Sequence, residues 1–267
     1  MRRGGVIWGG ALILLGLLFL LDNLGIFAVS VWGIFWPLLI IGVGAWILWG
    51  VLFGRPTLAM EQVSIPLDGA ASARIRMRHG AGRLDVSGSS LGADLLAGTF
   101  QGGLEYQAQP TAGGLDVDMH TAHGAYRAAF MPFFWTPASS LDWQVRLNSA
   151  IPLQLDIDSG ASATKLDLLT LQVTDLRLNT GASATDILMP AGAGHTRATI
   201  KSGAAAVNVH IPESVAARIH VQSGLAGVSV SRRFERVQGG YESPDFAVAV
   251  NRLELNVETG VGAVDIR

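Results

Sequence analysis

Two short segments of this chain match nucleophile patterns by letter. Ser162-Ala163-Thr164-Lys165 fits SxxK, and Lys201-Ser202-Gly203 is a loose echo of the KTG that accompanies it in serine acyl-transfer enzymes. Gly88-Ser89-Ser90-Leu91-Gly92 fits GxSxG around Ser90. Each pattern does chemistry only in its own setting. SxxK needs Ser and Lys on one helical face, and GxSxG needs a sharp strand-to-helix elbow. Here both lie in Gly- and Ala-rich bends between strand-like segments, and no SDN motif follows. The six histidines are His79, His120, His123, His195, His210 and His220. His120 and His123 are three apart, but a strand and loop do not put that spacing on one face, and no third ligand is nearby. The carboxylates Asp85, Asp116, Asp118, Asp156, Asp158, Asp167 and Asp265 alternate with apolar residues, as on the wet face of a strand. No pair stands out for glycoside hydrolysis. Pieces such as GAGRLD and GAGHT are not phosphate loops, because no GxxxxGK[ST] occurs. The sequence therefore predicts no catalytic residue, no metal site, no cofactor and no enzyme.

These segments are positioned by a repeat. The cores LDIDSG (155–160), LRLNTG (176–181), ATIKSG (198–203) and IHVQSG (219–224) end on Gly160, Gly181, Gly203 and Gly224, spaced 21, 22 and 21 residues apart. Apolar residues stand five and three places before each Gly, as in Leu155/Ile157, Leu176/Leu178, Ala198/Ile200 and Ile219/Val221. Apolar pairs follow it: Leu166/Leu168, Ile187/Met189, Val209/Ile211 and Val228/Val230. The pattern recurs around Gly80 in IRMRHGAGRLDV and around Gly260 in LELNVETGVGAVDI. A fixed period of this length marks stacked repeats, and period-two alternation marks half-buried strands. One rung cannot bury its apolar face alone, so neighbours must stack. The expected fold is an all-β repeat domain, a β-solenoid or a closely related layered structure. The six glycines should sit at bends that need either a positive φ or close contact between rungs.

The chain has 267 residues, a net charge of −2 and no cysteine. That charge gives no electrostatic case for nucleic acid, and disulfides and thiolate metal sites are excluded. Residues 1–55 hold only four charges, Arg2, Arg3, Asp22 and Arg55, and five of the seven tryptophans. Two apolar stretches, about 4–21 and 27–53, are each long enough to cross a bilayer. The turn Asp22-Asn23-Leu24-Gly25 separates them. Arginines flank the hairpin and none lies in the turn, so the positive-inside rule places both termini in the cytoplasm. Gly5 and Gly9, with Gly42 and Gly44, could let helices approach closely. The domain division is 1–55 for this two-helix transmembrane hairpin and 56–267 for the β-repeat domain. Segment 125–140 carries Phe130, Phe133, Phe134 and Trp135, with Pro132 and Pro137. It is expected to cap an open end of the stack, or to form an exposed interaction patch. Arg232, Arg233 and Arg236 beside Phe234 form a second candidate patch for anionic lipid or an acidic partner. The closing strands, 246–267, are expected to cap the other end.

The hairpin RRGGVIWGGALILLGLLFLLDNLGIF…VWGIFWPLLIIGVGAWIL resembles the transmembrane region of LiaI- and LiaF-like bacterial envelope-stress proteins. SGASATKLDLLTLQ, NTGASATDILMP, KSGAAAVNVHIP and NRLELNVETGVGAVDIR resemble the toast-rack, adhesin-like β-domain of cell-wall-active antibiotic response proteins. The resemblance covers nearly the whole chain and transfers no catalytic motif. It implies a non-enzymatic, multi-pass membrane protein of the envelope stress response. Its partners would be the lipid bilayer and another membrane protein, such as a sensor kinase or regulator, or a second copy. The alternative is a membrane-tethered scaffold or adhesin that self-assembles through its repeats.

Overall fold

A computed structural model describes residues 36–37, 39–45, 60–121 and 141–267. The chain divides into two compact units, with a boundary between Pro56 and Thr57. Of the expected hairpin, only residues 36–37 and 39–45 are described, as helix. No helix among the described residues is long and apolar enough to cross a membrane. The two spans, and the residues that define them, lie otherwise outside the described residues.

The second unit is a bent, layered β-structure. Six long strands form its rungs: β2 (Ala73–Ser89), β7 (Pro152–Asp167), β8 (Gln172–Leu188), β9 (His195–His210), β10 (Ala216–Val230) and β13 (Arg252–Ile266). All six pair in parallel and nearly in register. Each bends at its repeat glycine. In β7 the buried positions are Leu153, Leu155, Ile157 and Ser159 before the bend, then Ser162, Thr164 and Leu166 after it. Gly160 and Ala161 between them are both exposed. The inward set thus changes from odd to even numbers at the bend. Except in the trailing half of β10, the two halves of each rung bury their alternating side chains in one core, which joins Leu155 and Ile157 to Leu166, Ile187 and Val209.

Shorter strands finish the first-rung end. β5 (Gly114–Thr121) pairs with the leading half of β2, and β4 (Leu104–Thr111) covers β5. β6 (Trp143–Asn148) pairs with the trailing half of β2, followed by β3 (Asp94–Gln101) and β1 (Met60–Pro66). At the other end β12 (Gly240–Glu242) pairs with Arg218 and Ile219 of β10, and β11 (Glu235–Val237) covers β12.

Three expectations change here. First, the rungs do not stack in chain order. The last strand, β13, enters between β9 and β10, so the order is β2-β7-β8-β9-β13-β10. The closing segment is an interior rung, not a cap. Second, the repeat glycines do not take positive φ. Close approach is the reason for them. A Cβ on Gly181 would lie 2.9 Å from the carbonyl oxygen of Gly160, one on Gly203 3.0 Å from that of Gly181, and one on Gly260 2.6 Å from that of Gly203. Real side chains do not fit there, so the glycines run as a column through the stack. The left-handed conformation occurs two residues later in two rungs, at Gly82 (φ 121°) and Gly262 (φ 136°). Third, Val230 stands level with Leu166, through Ile266, Val209 and Ile187. Val228 therefore belongs to the column of Thr164 and Thr185, and is not the counterpart of Leu166.

Candidate functional site

Beneath four of the six bends lies a buried hydroxyl. Ser159, Thr180, Ser202 and Thr259 immediately precede their glycines, His79 takes this place in β2, and Ser223 in β10 is exposed. In β7, Ser159 Oγ and Ser162 Oγ are 2.5 Å apart, and Ser162 Oγ and Thr164 Oγ1 are 3.0 Å apart. Ser162 is thus a buried link in a structural hydroxyl chain. Lys165 points to the opposite, exposed side, so the SxxK letters do not bring a base to a nucleophile. Ser202 is buried and Lys201 is ion-paired with Glu258 at 2.9 Å. Ser90 is exposed between β2 and β3, with no helix after it. None of the three letter patterns forms a nucleophile–base pair.

The histidines are dispersed. His79 is 2% exposed, with its Nε2 2.6 Å from the Leu141 carbonyl oxygen, so Nε2 carries the proton. Burial pulls its pKa below the ordinary value. His120 faces Glu105 at 3.8 Å and His195 faces Glu254 at 3.5 Å. His210 is exposed, and His123 lies outside the described residues. Among the described residues no group of three potential ligands is close enough to hold a metal.

What the repeat does build is a continuous polar surface. A groove of about 740 Å³ follows the glycine column across six rungs. Its rim comes from the residue two before each glycine: Arg78, Asp158, Asn179, Lys201, Glu258 and Gln222 in stacking order. These groups pair across rungs, as Asn179 Nδ2 donates to Asp158 Oδ1 at 2.8 Å and Arg78 meets Asp118 at 2.9 Å. Four residues earlier a second ladder runs Arg74, Gln154, Asp175, Arg197, Glu254, Arg218 and Glu242. The Asp residues expected on the wet face are there, and Asp116 and Asp118 are held by Arg76.

The β10 end of the stack is different. Leu225 is 83% exposed and Val261, its register partner, 53%. Val248 and Val250, on the loop leading to β13, are each 84% exposed. At the place after the bend glycine the other rungs carry Ala81, Ala161, Ala182 and Ala204. That change from alanine to Val and Leu was readable in the repeat and is the one sequence signal for this surface.

The residues singled out from the sequence fall as follows. Gly80, Gly160, Gly181, Gly203, Gly224 and Gly260 form the glycine column. Arg232 and Arg236 are exposed, whereas Phe234 is buried. Arg233 is taken up locally: it donates to the carbonyls of Ile211 (2.7 Å) and Pro212 (3.3 Å), and its guanidinium lies 4.4 Å from the Phe234 ring centroid. Such a clamp closes the turn after β9 and leaves little of that charge for a partner. Gly42 and Gly44 are in the described helix, with nothing within 4 Å of where a Cβ would be. Gly5, Gly9, Phe130, Phe133, Phe134 and Trp135 lie outside the described residues.

Comparison with known proteins agrees with this architecture. Residues 55–210 match the family described as the N-terminal domain of toast_rack, DUF2154. Residues 6–48 match the LiaI-LiaF-like transmembrane region. A crystal structure of a candidate cell adhesion protein from Clostridium sporogenes ATCC 15579 has the same fold. It aligns with a TM-score of 0.68 at 20% identity, covering 78% of this chain and 98% of that one. No curated protein matches the chain.

Proposed function

Because this chain belongs to the family of the toast_rack N-terminal domain, DUF2154, we propose that it is a non-enzymatic, membrane-anchored protein of the bacterial envelope stress response. In this reading it modulates a membrane partner such as a sensor kinase. The observation that carries the proposal is the succession, within one chain, of a LiaI-LiaF-like transmembrane match and a toast-rack match. The hairpin would cross the bilayer twice, with both termini in the cytoplasm, as the arginine distribution indicates. The β-domain offers a long polar face and an apolar end for contact with a protein. A regulator of this kind acts by binding one state of its partner more tightly than another.

The test is a crosslinking pull-down of the full-length protein from native membranes. Recovery of a histidine kinase or another membrane regulator is the expected result. Recovery of no other membrane protein would remove the regulatory reading.

An adhesin is the second reading, favoured by the fold shared with the candidate cell adhesion protein. It requires the β-domain outside the cell. A reporter fused after Arg267 separates the two, since activity only outside the membrane would support the adhesin.

A further inference from the structure

The described sheet has four edges, set by which strands lack a second neighbour. On the side of the leading half-rungs they are β4 and β11. On the side of the trailing half-rungs they are β1 and residues 225–230 of β10. An unpaired edge is a template for another strand, and proteins blunt it with charge, proline or brevity. β1 carries Glu61 and Pro66, and β4 carries Glu105 and Pro110. β11 is three residues long and carries Glu235 and Arg236. Residues 225–230 have none of these devices.

The contrast extends along the whole bend of β10. Residues 221–230, VQSGLAGVSV, contain no charge and no proline. The matching stretch of every other rung carries charge: Arg78, Arg83 and Asp85 in β2, Asp158 and Lys165 in β7, Asp186 in β8, Lys201 in β9, Glu258 and Asp265 in β13. β12 covers β10 only at Arg218 and Ile219. Beyond the bend, β10 pairs with β13 alone among the described residues.

The core is also open at this place. Val264, Val207 and Thr185 stand level with Val228 and are at most 1% exposed, whereas Val228 is 39% exposed. Leu225 and Val261 then add apolar surface beside the same edge, where the earlier rungs have alanine.

We propose that the trailing half of β10, residues 225–230 with Val261 beside it, is the interface through which two copies of this chain pair edge to edge as a closed dimer. A second copy fits this edge because an uncharged strand can meet itself about a two-fold axis without juxtaposing like charges. The dimer closes because no second bare edge occurs among the described residues: a head-to-tail filament would need β1, β4 or β11 as its acceptor, and these are guarded by charge, proline or brevity. Pairing would continue the sheet and cover Leu225, Val228 and Val261. The inference deepens the proposed function and rests on it for the membrane tether, which raises the effective concentration of two copies on one surface.

The chain has no cysteine, so single introduced cysteines report the contact directly. Leu225→Cys, Gly227→Cys and Ser229→Cys place thiols on the proposed edge, and a Cβ at Gly227 meets nothing within 4 Å. Ser64→Cys and Gln107→Cys place them on β1 and β4. Full-length protein in native membranes is oxidised with copper phenanthroline and run on a non-reducing gel. Directly opposed residues of antiparallel strands have Cβ atoms about 4.5–5.5 Å apart, within reach of a disulfide. The expected result is a disulfide-linked dimer from at least one β10 position, at about tenfold the level from the β1 and β4 positions. Adding Val228→Lys should lower that yield about tenfold, while the far-ultraviolet circular dichroism of the purified protein stays strand-rich. Equal yields from all edges, or no β10 dimer, would overturn the proposal. These outcomes are read from the protein itself, so they stand whether or not the pull-down recovers a kinase.

Discussion

Arg197 Nε lies 3.4 Å from Glu254 Oε2, although the two residues are 57 apart in the chain. The pair joins β9 to β13. On its other side Glu254 is level with Arg218 of β10. Stacking in chain order would have set Arg197 directly against Arg218, and like charges opposite one another destabilise a sheet. Inserting the last strand places a carboxylate between the two arginines. Nearer the bend Glu258 again lies between β9 and β10, ion-paired with Lys201 and level with the neutral Gln222. The polar face thus favours the rung order that the apolar face leaves open.

Reversing the charge tests that role. Glu254→Arg would line up three arginines across β9, β13 and β10. These groups are largely exposed, so the effect is small. The melting temperature should fall by roughly 2 °C, and the difference should shrink in high salt, where such repulsion is screened. A variant as stable as the parent at low salt would show that the ladder does not contribute to the order.

The glycine column makes a sharper prediction. Gly181→Ala adds a Cβ 2.9 Å from the Gly160 carbonyl oxygen, and a backbone atom in a paired rung cannot step aside. Overpacking of this kind costs about 1–3 kcal/mol. Gly192→Ala, where nothing lies within 4 Å, is the matched control and should be close to neutral. Urea denaturation of both variants gives the comparison; equal midpoints would count against close approach as the reason for the column.

His79 makes stability depend on pH. Its Nε2–H is used by Leu141, its Nδ1 is buried without a partner, and its ring lies 5.3 Å from that of Trp143. A second proton would have to sit on that buried Nδ1. Desolvation is the largest cause of the lowered pKa, opposed by the Leu141 hydrogen bond and by Asp142. The folded state therefore binds fewer protons than the unfolded state. The stabilisation is complete above the ordinary value of 6.5 and is lost as pH falls below it, by at most about 1.4 kcal/mol per pH unit for one proton. His79→Phe should remove that part of the slope between neutral and mildly acidic pH. An unchanged slope would assign the dependence to other groups.

The sequence by itself determined the strands, the bends and the buried face. Leu155, Ile157 and Leu166 alternate with polar residues, and period-two alternation is a local property of a strand. It also determined that Gly181 and its counterparts are special, because a side chain is missing at a fixed interval. Only the tertiary structure decided which rung lies beside which. Alternation says which face turns inward but not whose strand is next, so the placement of Arg252–Ile266 between β9 and β10 could not be read from the repeat. Nor could the reason for the glycines, since a positive φ and a neighbouring carbonyl both exclude a side chain and look alike in sequence. The letters around Ser162 were legible by contrast: Ser162 and Lys165 are three apart and both follow Gly160, so alternation along a strand puts them on opposite sides, and the fold turns one inward and the other to solvent.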